Sequence, residues 1–300
     1  MTPPHQTYGT GVVFVLLATL GWSMSGVFVR LLPGLDGWQI NCWRGLWMAL
    51  ALLLYLMVIY RGETINKFRA VPLIALITSA GFFAAGSTFY VTSLTLLSTA
   101  AVSVIGASSP IFTGLLSPWV TGEKPGLAAW GSALLAMLGV GVIAWAGLEA
   151  GKLTGIVVAL LVPISFAGQT LALRRYRNID MVPAICVGGF VAFFAAGLLG
   201  FTAGHAWGGF DVTPREMLIL AAMGPLQLSI PLIWYAKGAK SVPAITLSLI
   251  VMLDAVLNPL WPWLIVGETP QASDFIGGAI IIAAVSISIV GGRWLARTAP

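Results

Sequence analysis

The 300-residue chain is 58% hydrophobic and 8% charged, with 15 Lys and Arg against 10 Asp and Glu. Soluble domains are about 45–50% apolar and about 25% charged. The few charges of this chain therefore could not cover a water-facing surface of its size. A β-barrel would show alternating segments of about ten residues, whereas long unbroken apolar runs fill this sequence. The composition therefore predicts an all-α integral membrane protein without a soluble domain.

Ten apolar runs are long enough to cross a bilayer, which requires about 20 residues for each helix. They are Gly11–Val29, Trp38–Tyr60, Val71–Leu96, Thr99–Val120, Gly126–Gly147, Leu153–Leu173, Met181–Thr202, Met217–Tyr235, Ser241–Val266 and Asp274–Trp294. The third and fourth runs are separated only by Ser98-Thr99. No basic segment precedes the first run, so no cleavable signal peptide is expected.

The distribution of cations between loops predicts the orientation of these spans. Eleven Lys and Arg residues fall on one side of the predicted membrane and three on the other, while Arg44 lies inside the second span. Because cytoplasmic loops carry the excess of Lys and Arg, both termini are expected in the cytoplasm. The net charge of +5 is spread over short loops and does not indicate a nucleic-acid partner.

The chain divides near Gly151 into two halves of five spans, residues 1–150 and 151–300, which are related by an offset of 144 residues. The coinciding positions are Gly11 with Gly155, Cys42 with Cys186, Gly45 with Gly189, Pro118-Trp119 with Pro262-Trp263, and, after a one-residue insertion, Gly122-Glu123 with Gly267-Glu268. Five crossings are an odd number, so the second half must have the inverted topology. Secondary transporters with inverted repeats bind their substrate at the midplane between the repeats.

Ten spans, two five-helix halves and a Gly-Glu near the end of each fourth helix resemble the EamA-type drug/metabolite transporter superfamily. The resemblance covers essentially the whole chain, and YddG-like aromatic amino-acid exporters are the most similar branch. It implies a basket of helices around a central cavity in a bacterial inner membrane. It also implies export of amino acids or similar metabolites by alternating access, without a cofactor.

Candidate substrate-binding residues come from helix faces that the repeat makes equivalent. On the third span, side chains at i, i+4 and i+7 share one face, and the offset of 144 residues transfers this face to the eighth span. The first span pairs with the sixth in the same way, and the fourth with the ninth. The resulting candidates are Trp22, Ser25, Phe83, Ser87, Tyr90, Ser103, Gln169, Gln227, Trp234 and Asp254. Aromatic surface with a few hydrogen-bonding groups is typical of a small-molecule pocket, although serines in membrane helices also bond backbone or neighbouring helices.

Asp254 lies near the middle of the ninth span, where inserting a carboxylate costs about 2.5–3.5 kcal/mol. It is therefore expected to face protein or water. It could contact a substrate ammonium or relay a proton, or it could be a structural partner of Arg44 or of backbone freed by Pro259 and Pro262. Arg44 could contact a substrate carboxylate or extend towards the outer headgroups.

Two features of the helix ends have structural interpretations. Glu123 and Glu268 precede the fifth and tenth spans, and carboxylates suit helix N-termini. Prolines interrupt the fourth, sixth, eighth and ninth spans, and such kinks free carbonyls that can line a cavity. The prolines are Pro110, Pro118, Pro163, Pro225, Pro231, Pro259 and Pro262.

The sequence disfavours several functional classes. It lacks the phosphate-binding motif G-x-x-x-x-G-K-[ST] of ATP-driven pumps. The two histidines, His5 and His205, lie in predicted polar segments, which disfavours a membrane-embedded enzyme. Phosphorylated substrates would require several buried cations, and Arg44 is alone.

A neutral or zwitterionic small molecule with an apolar side chain fits these observations best. Other drug-like solutes are the alternative within the same class, and a membrane-embedded enzyme or a receptor is the alternative outside it. One central carboxylate permits proton antiport, whereas facilitated diffusion requires no ionisable group.

Overall fold

The computed structural model describes residues 7–97, 99–145, 153–204, 207–266 and 272–298, and these residues contain no β-strand. The α-helices are α1 (Tyr8–Ser23), α2 (Ser25–Arg30), α3 (Gly37–Tyr60), α4 (Thr64–Ala70), α5 (Leu73–Leu96), α6 (Thr99–Gly106), α7 (Ser109–Val120), α8 (Leu127–Ala144), α9 (Leu153–Arg175), α10 (Val182–Leu199), α11 (Pro214–Met223), α12 (Ile230–Gly238), α13 (Ala244–Val251), α14 (Asp254–Val266) and α15 (Ala272–Thr298). A π-helix, Gly224–Ser229, joins α11 to α12. The predicted division near Gly151, His5, His205 and Glu268 lie outside the described residues.

Within the described residues, six helical stretches are long and apolar enough to cross a membrane. They are Tyr8–Val29, Gly37–Ala70, Leu73–Ser93, Leu153–Arg175, Val182–Thr202 and Pro214–Gly238. Three shorter apolar helices are Leu127–Ile143, Ala244–Leu257 and Phe275–Gly291. These lengths and compositions support a multi-pass membrane protein. The predicted fourth span, Thr99–Val120, matches none of these stretches because it is divided into α6 and α7.

The predicted fourth and ninth spans are each broken into two helices. α6 ends at Gly106 and α7 begins at Ser109, whereas α13 ends at Val251 and α14 begins at Asp254. The two breaks therefore fall within about one residue of the 144-residue offset. Since helix ends leave backbone groups without intrahelical partners, each break supplies polar backbone where lipid could not satisfy it. Both breaks therefore belong in the protein interior.

The two halves of the chain pack mainly on each other. The most extensive helix contacts join α8 to α15, α3 to α10, α5 to α9, α5 to α10 and α1 to α12. Each of these contacts pairs a helix before residue 146 with a helix after residue 152. The interface between the halves is therefore the core of the bundle.

Glycines at equivalent positions of the predicted repeat permit a close contact between α3 and α10. A Cβ atom added to Gly189 would lie 2.8 Å from the carbonyl oxygen of Gly45 and 3.0 Å from Cβ of Ala49. A Cβ added to Gly45 would lie 3.0 Å from the carbonyl oxygen of Gly189. The backbones therefore meet at these two glycines, which the repeat matches to each other.

The first glycine pair of the predicted repeat also makes matching contacts. A Cβ on Gly11 would overlap the side chain of Ser241, and a Cβ on Gly155 would lie 2.9 Å from Cδ2 of Leu97. Ser241 and Leu97 are themselves 144 residues apart. The contact of Gly11 with Ser241 and the contact of Gly155 with Leu97 are therefore equivalent under the repeat.

Glu123 joins the two halves at the end of the bundle where Arg174 and Lys240 lie, here called the basic end. Its Oε1 accepts a hydrogen bond from Nε of Arg174 at 2.5 Å, and its Oε2 accepts one from the N–H of Ala244 at 2.9 Å. Arg174 also donates through Nη1 to the carbonyl oxygens of Ala239 and Lys240, each at 2.9 Å. Glu123 therefore caps α13, which belongs to the predicted ninth span, rather than the fifth span that follows it in sequence.

We expect Gly189→Val to destabilise the protein by about 1–3 kcal/mol, the usual cost of overpacking a core, because the α3 backbone occupies the space for a side chain. Thermal unfolding of the purified protein in detergent measures this cost. Gly131→Val is the matched control, since nothing lies within 4 Å of a Cβ at that helical position. Equal unfolding temperatures for the two variants would contradict the close approach of α3 and α10.

Candidate functional site

A cavity of about 250 Å³, here called the central cavity, lies where the breaks of the fourth and ninth predicted spans meet. Its lining residues are Tyr90, Val102, Ser103, Gly106, Ala107, Ser109, Val140, Val162, Pro163, Phe166, Ser248, Val251, Met252, Asp254 and Ala255. Three of the predicted candidates, Tyr90, Ser103 and Asp254, thus line one cavity. Drug-sized ligands occupy pockets of about 300–1,000 Å³, so the central cavity suits a smaller solute.

The polar groups of the central cavity are few and come from both halves. Asp254 is half-buried in the first turn of α14, where the positive end of the helix favours a carboxylate. Ser248 shares a hydrogen bond of 2.8 Å with Thr113, which ties α13 to α7. One carboxylate and a few hydroxyls among apolar walls can bind a cationic group on an otherwise apolar solute.

An aromatic cluster reaches the central cavity through Phe166. The ring of Phe166, which lines the cavity, lies 6.5 Å from Trp22 and 6.0 Å from Tyr235 between centroids, and Trp22 lies 5.1 Å from Tyr235. The hydroxyl of buried Tyr235 shares a 2.8 Å hydrogen bond with Thr170. The repeat paired Trp22 with Phe166, and the structure brings these two rings into contact.

The π-helix explains why Tyr235 rather than Trp234 joins this cluster. A π-turn adds one residue to a helical turn. Each residue after Ser229 therefore takes the position that the preceding residue would occupy in a regular α-helix. Trp234 is half-buried against the main hydrophobic core and is not a lining residue of the central cavity. The only sequence signal for this change of register was the presence of Pro225 and Pro231.

Two buried glutamines carry amide atoms that have no hydrogen-bond partner among the described residues. Gln227, within the π-helix, donates from Nε2 to the carbonyl oxygen of Trp22 at 3.3 Å, whereas its Oε1 is unpartnered. Gln169 is 5% exposed, and neither of its amide atoms has a partner. A buried polar group left unsatisfied costs about 1–3 kcal/mol, so these positions would gain from a bound solute or water.

A second polar cluster, here called the Arg44 cluster, consists of Asn41, Arg44 and Ser87. Nη2 of Arg44 donates to Oδ1 of Asn41 at 3.0 Å and lies 3.4 Å from Oγ of Ser87, which also donates to Asn41. Arg44 therefore turns towards α5 instead of extending to the headgroups. Sequence analysis did not select Asn41, although an Asn inside an apolar run was the available signal.

The remaining predicted candidates lie away from the central cavity. Phe83 packs on α10, where a Cβ on Gly188 would lie 3.2 Å from the Cβ of Phe83. Ser25 is half-buried at the start of α2. Neither residue lines the cavity. In the described part of the chain, no group of three or more His, Cys, Asp or Glu could hold a metal ion.

A larger cavity of about 510 Å³ lies at the basic end, beside the pair formed by Glu123 and Arg174. The first turns of α13 line it through Ile245 and Thr246, whereas the last turns of α13 line the central cavity. The same helix thus borders both cavities along its length. The lining of the larger cavity is mostly apolar.

Comparisons with known proteins identify the family. The sequence model of the EamA-like transporter family matches residues 9–145 and again residues 153–290. The chain is 25% identical over 273 residues to the uncharacterized transporter YdfC of Bacillus subtilis (strain 168). The aligned region covers 87% of this chain and 85% of that protein. A crystal structure of a protein at 17% identity has a TM-score of 0.83 over 96% of this chain and 99% of its own, a likeness of fold alone. Since the family model covers most of the chain in two successive matches, this protein belongs to the EamA-like transporter family of multi-pass membrane proteins that carry small molecules.

Proposed function

We propose that the protein exports amino acids and related neutral or zwitterionic metabolites across a bacterial cytoplasmic membrane, with the central cavity as the substrate site. The observation that carries this proposal is the composition of the cavity. Asp254 offers a negative charge to an ammonium group, while Tyr90 and Phe166 offer aromatic surface to an apolar side chain. The volume of about 250 Å³ favours a metabolite over a larger drug-like solute.

The transport mechanism is alternating access between two inverted five-helix halves, residues 1–150 and 151–300. Four observations support it: the two matches of the family model, the matched breaks of the fourth and ninth predicted spans, the glycine contacts that obey the same offset, and packing of each half mainly on the other. Broken helices at the midplane are a recurrent feature of such transporters. Rocking of one half against the other would expose the central cavity to each side in turn.

The basic end is the cytoplasmic end, because loops with an excess of Lys and Arg stay in the cytoplasm. Both chain termini then lie in the cytoplasm. Glu123 and Arg174 connect the halves at this end. An exported solute enters from this side, so their ion pair must loosen when the cytoplasmic entrance opens.

Counterflow in proteoliposomes tests the proposed function directly. Purified protein is reconstituted, loaded with unlabelled amino acids and supplied with a labelled panel, with and without a pH gradient. We expect accumulation of neutral amino acids, and a gradient effect would indicate proton antiport rather than facilitated diffusion. Absence of flux for every amino acid would refute the substrate assignment, and chemical turnover without flux would indicate an enzyme.

Asp254→Asn should lower the flux of ammonium-bearing substrates about tenfold or more, because it removes a charge-assisted hydrogen bond of about 1.5–3 kcal/mol. Asn mimics the protonated carboxyl group. Flux of the wild type and of the variant is measured between about pH 5 and 8. Normal transport by the variant across this range would assign Asp254 a structural role.

Tyr90→Ala should reduce flux of aromatic amino acids more than flux of small ones, because it removes aromatic surface from the cavity wall. The measurement is initial uptake of labelled phenylalanine and alanine. Phe194→Ala is the matched control, since Phe194 is 57% exposed on the outside of α10. An equal loss for both amino acids would indicate a packing role for Tyr90.

Glu123→Gln should open the basic end more often, since it removes the charge that pairs with buried Arg174. Thr246, which is buried and lines the larger cavity, supplies the reporter position as Thr246→Cys. We expect thiol-reagent labelling of this reporter to become several-fold faster in the Glu123→Gln background. Exposed Glu63 gives the control, Glu63→Gln, and equal labelling rates in both backgrounds would contradict a closing role for the ion pair.

A further inference from the structure

The Arg44 cluster has hydrogen-bond donors in excess of acceptors. Oδ1 of Asn41 already accepts from Arg44 and from Ser87. Nε of Arg44 and Nδ2 of Asn41, both donors, are buried without a hydrogen-bond partner among the described residues. Asn41 is 1% exposed. The cluster therefore presents an unsatisfied cation and an unsatisfied amide donor, and an acceptor with negative charge would complete it.

A comparison with Arg174 shows what Arg44 lacks. Arg174 is buried and pairs with Glu123 and with two backbone carbonyl oxygens. Arg44 is half-buried, and its side chain donates hydrogen bonds to the neutral side chains of Asn41 and Ser87. Leaving the charged group of an interior side chain without an opposite charge is unfavourable. A purely structural Arg44 would carry this cost in every state of the protein, whereas a binding residue recovers it when an anion arrives.

The Arg44 cluster adjoins the central cavity through α5. Ser87 precedes Tyr90 by three residues and therefore lies on the same helix face. Tyr90 and Asp254 both line the central cavity. The helix face that carries Ser87 towards Arg44 therefore continues to the cavity wall to which Asp254 also belongs.

We propose that Arg44 and Asn41 form a carboxylate-binding site at one end of the substrate path, with Asp254 as the ammonium-binding group at the other. This inference rests on the proposed function and names its substrate class as zwitterions, α-amino acids above all. The planar guanidinium and the neighbouring amide N–H suit the two oxygens of a carboxylate. The protein thereby selects against amines and amides that have the same side chain.

Three probes separate the two ends of the site: L-phenylalanine, phenylalaninamide, which lacks the carboxylate, and 3-phenylpropionate, which lacks the ammonium. Binding is measured by ligand-induced thermal shifts of purified protein. We expect the wild type to bind phenylalanine about tenfold or more tightly than phenylalaninamide. Arg44→Gln should abolish this preference and should also abolish binding of 3-phenylpropionate. Arg69→Gln, at an exposed site, is the charge-matched control and should behave as the wild type.

Asn41→Asp is a second variant of nearly unchanged shape. It places a carboxylate beside Arg44, so it should weaken binding of phenylalanine and 3-phenylpropionate about tenfold while leaving phenylalaninamide unaffected. This variant decides the question if Arg44→Gln does not fold. An equal effect of either variant on all three probes, or no effect, would overturn the carboxylate site.

Failure of the proposed function gives a different result. Suppose that the wild type transports no amino acid in counterflow, and that 3-phenylpropionate binds to the wild type but does not bind to the Arg44→Gln variant. The carboxylate site is then supported and the amino-acid assignment is refuted. If phenylalanine is transported and 3-phenylpropionate binds wild type and variant equally, the transport assignment stands and the carboxylate site falls.

Discussion

A bilayer offers no hydrogen bonds to backbone N–H and C=O groups, so each group must find its partner within the protein or in an aqueous cavity. This constraint explains the placement of the two helix breaks. The breaks after Gly106 and after Val251 leave helix ends in the middle of the bundle, and both border the central cavity. The same irregular backbone facing lipid would be costly. The cavity and the broken helices therefore depend on each other.

Buried charge follows the same logic at two places. At the basic end, Arg174 is neutralised by Glu123 and also satisfies two carbonyl oxygens, which gives a connection between the halves. In the interior, Arg44 has amide and hydroxyl neighbours but retains an unsatisfied donor. The first arrangement is complete within the chain, whereas the second leaves a donor for the carboxylate that we propose it binds.

Sequence analysis predicted the features that depend on composition and on the repeat. The family assignment is confirmed, and the matched glycines Gly45 and Gly189 contact each other as equivalent positions can. It failed where contacts join distant segments. Nothing local to Glu123 indicates that it caps α13, since Ala244 is 121 residues away. Likewise, the role of Asn41 depends on its hydrogen bonds with Arg44 and with Ser87 on another helix.

The π-helix between α11 and α12 has a consequence for the orientation of a bound molecule. A two-fold arrangement of identical halves would present the same groups from both sides, and a bound molecule could sit in either of two opposite poses. The extra residue in Gly224–Ser229 breaks that equivalence, because it changes the register of α12, whose Tyr235 lies against Phe166. If the central cavity is the substrate site, as we propose, a polar molecule meets a different surface at its head and at its tail, which favours a single pose.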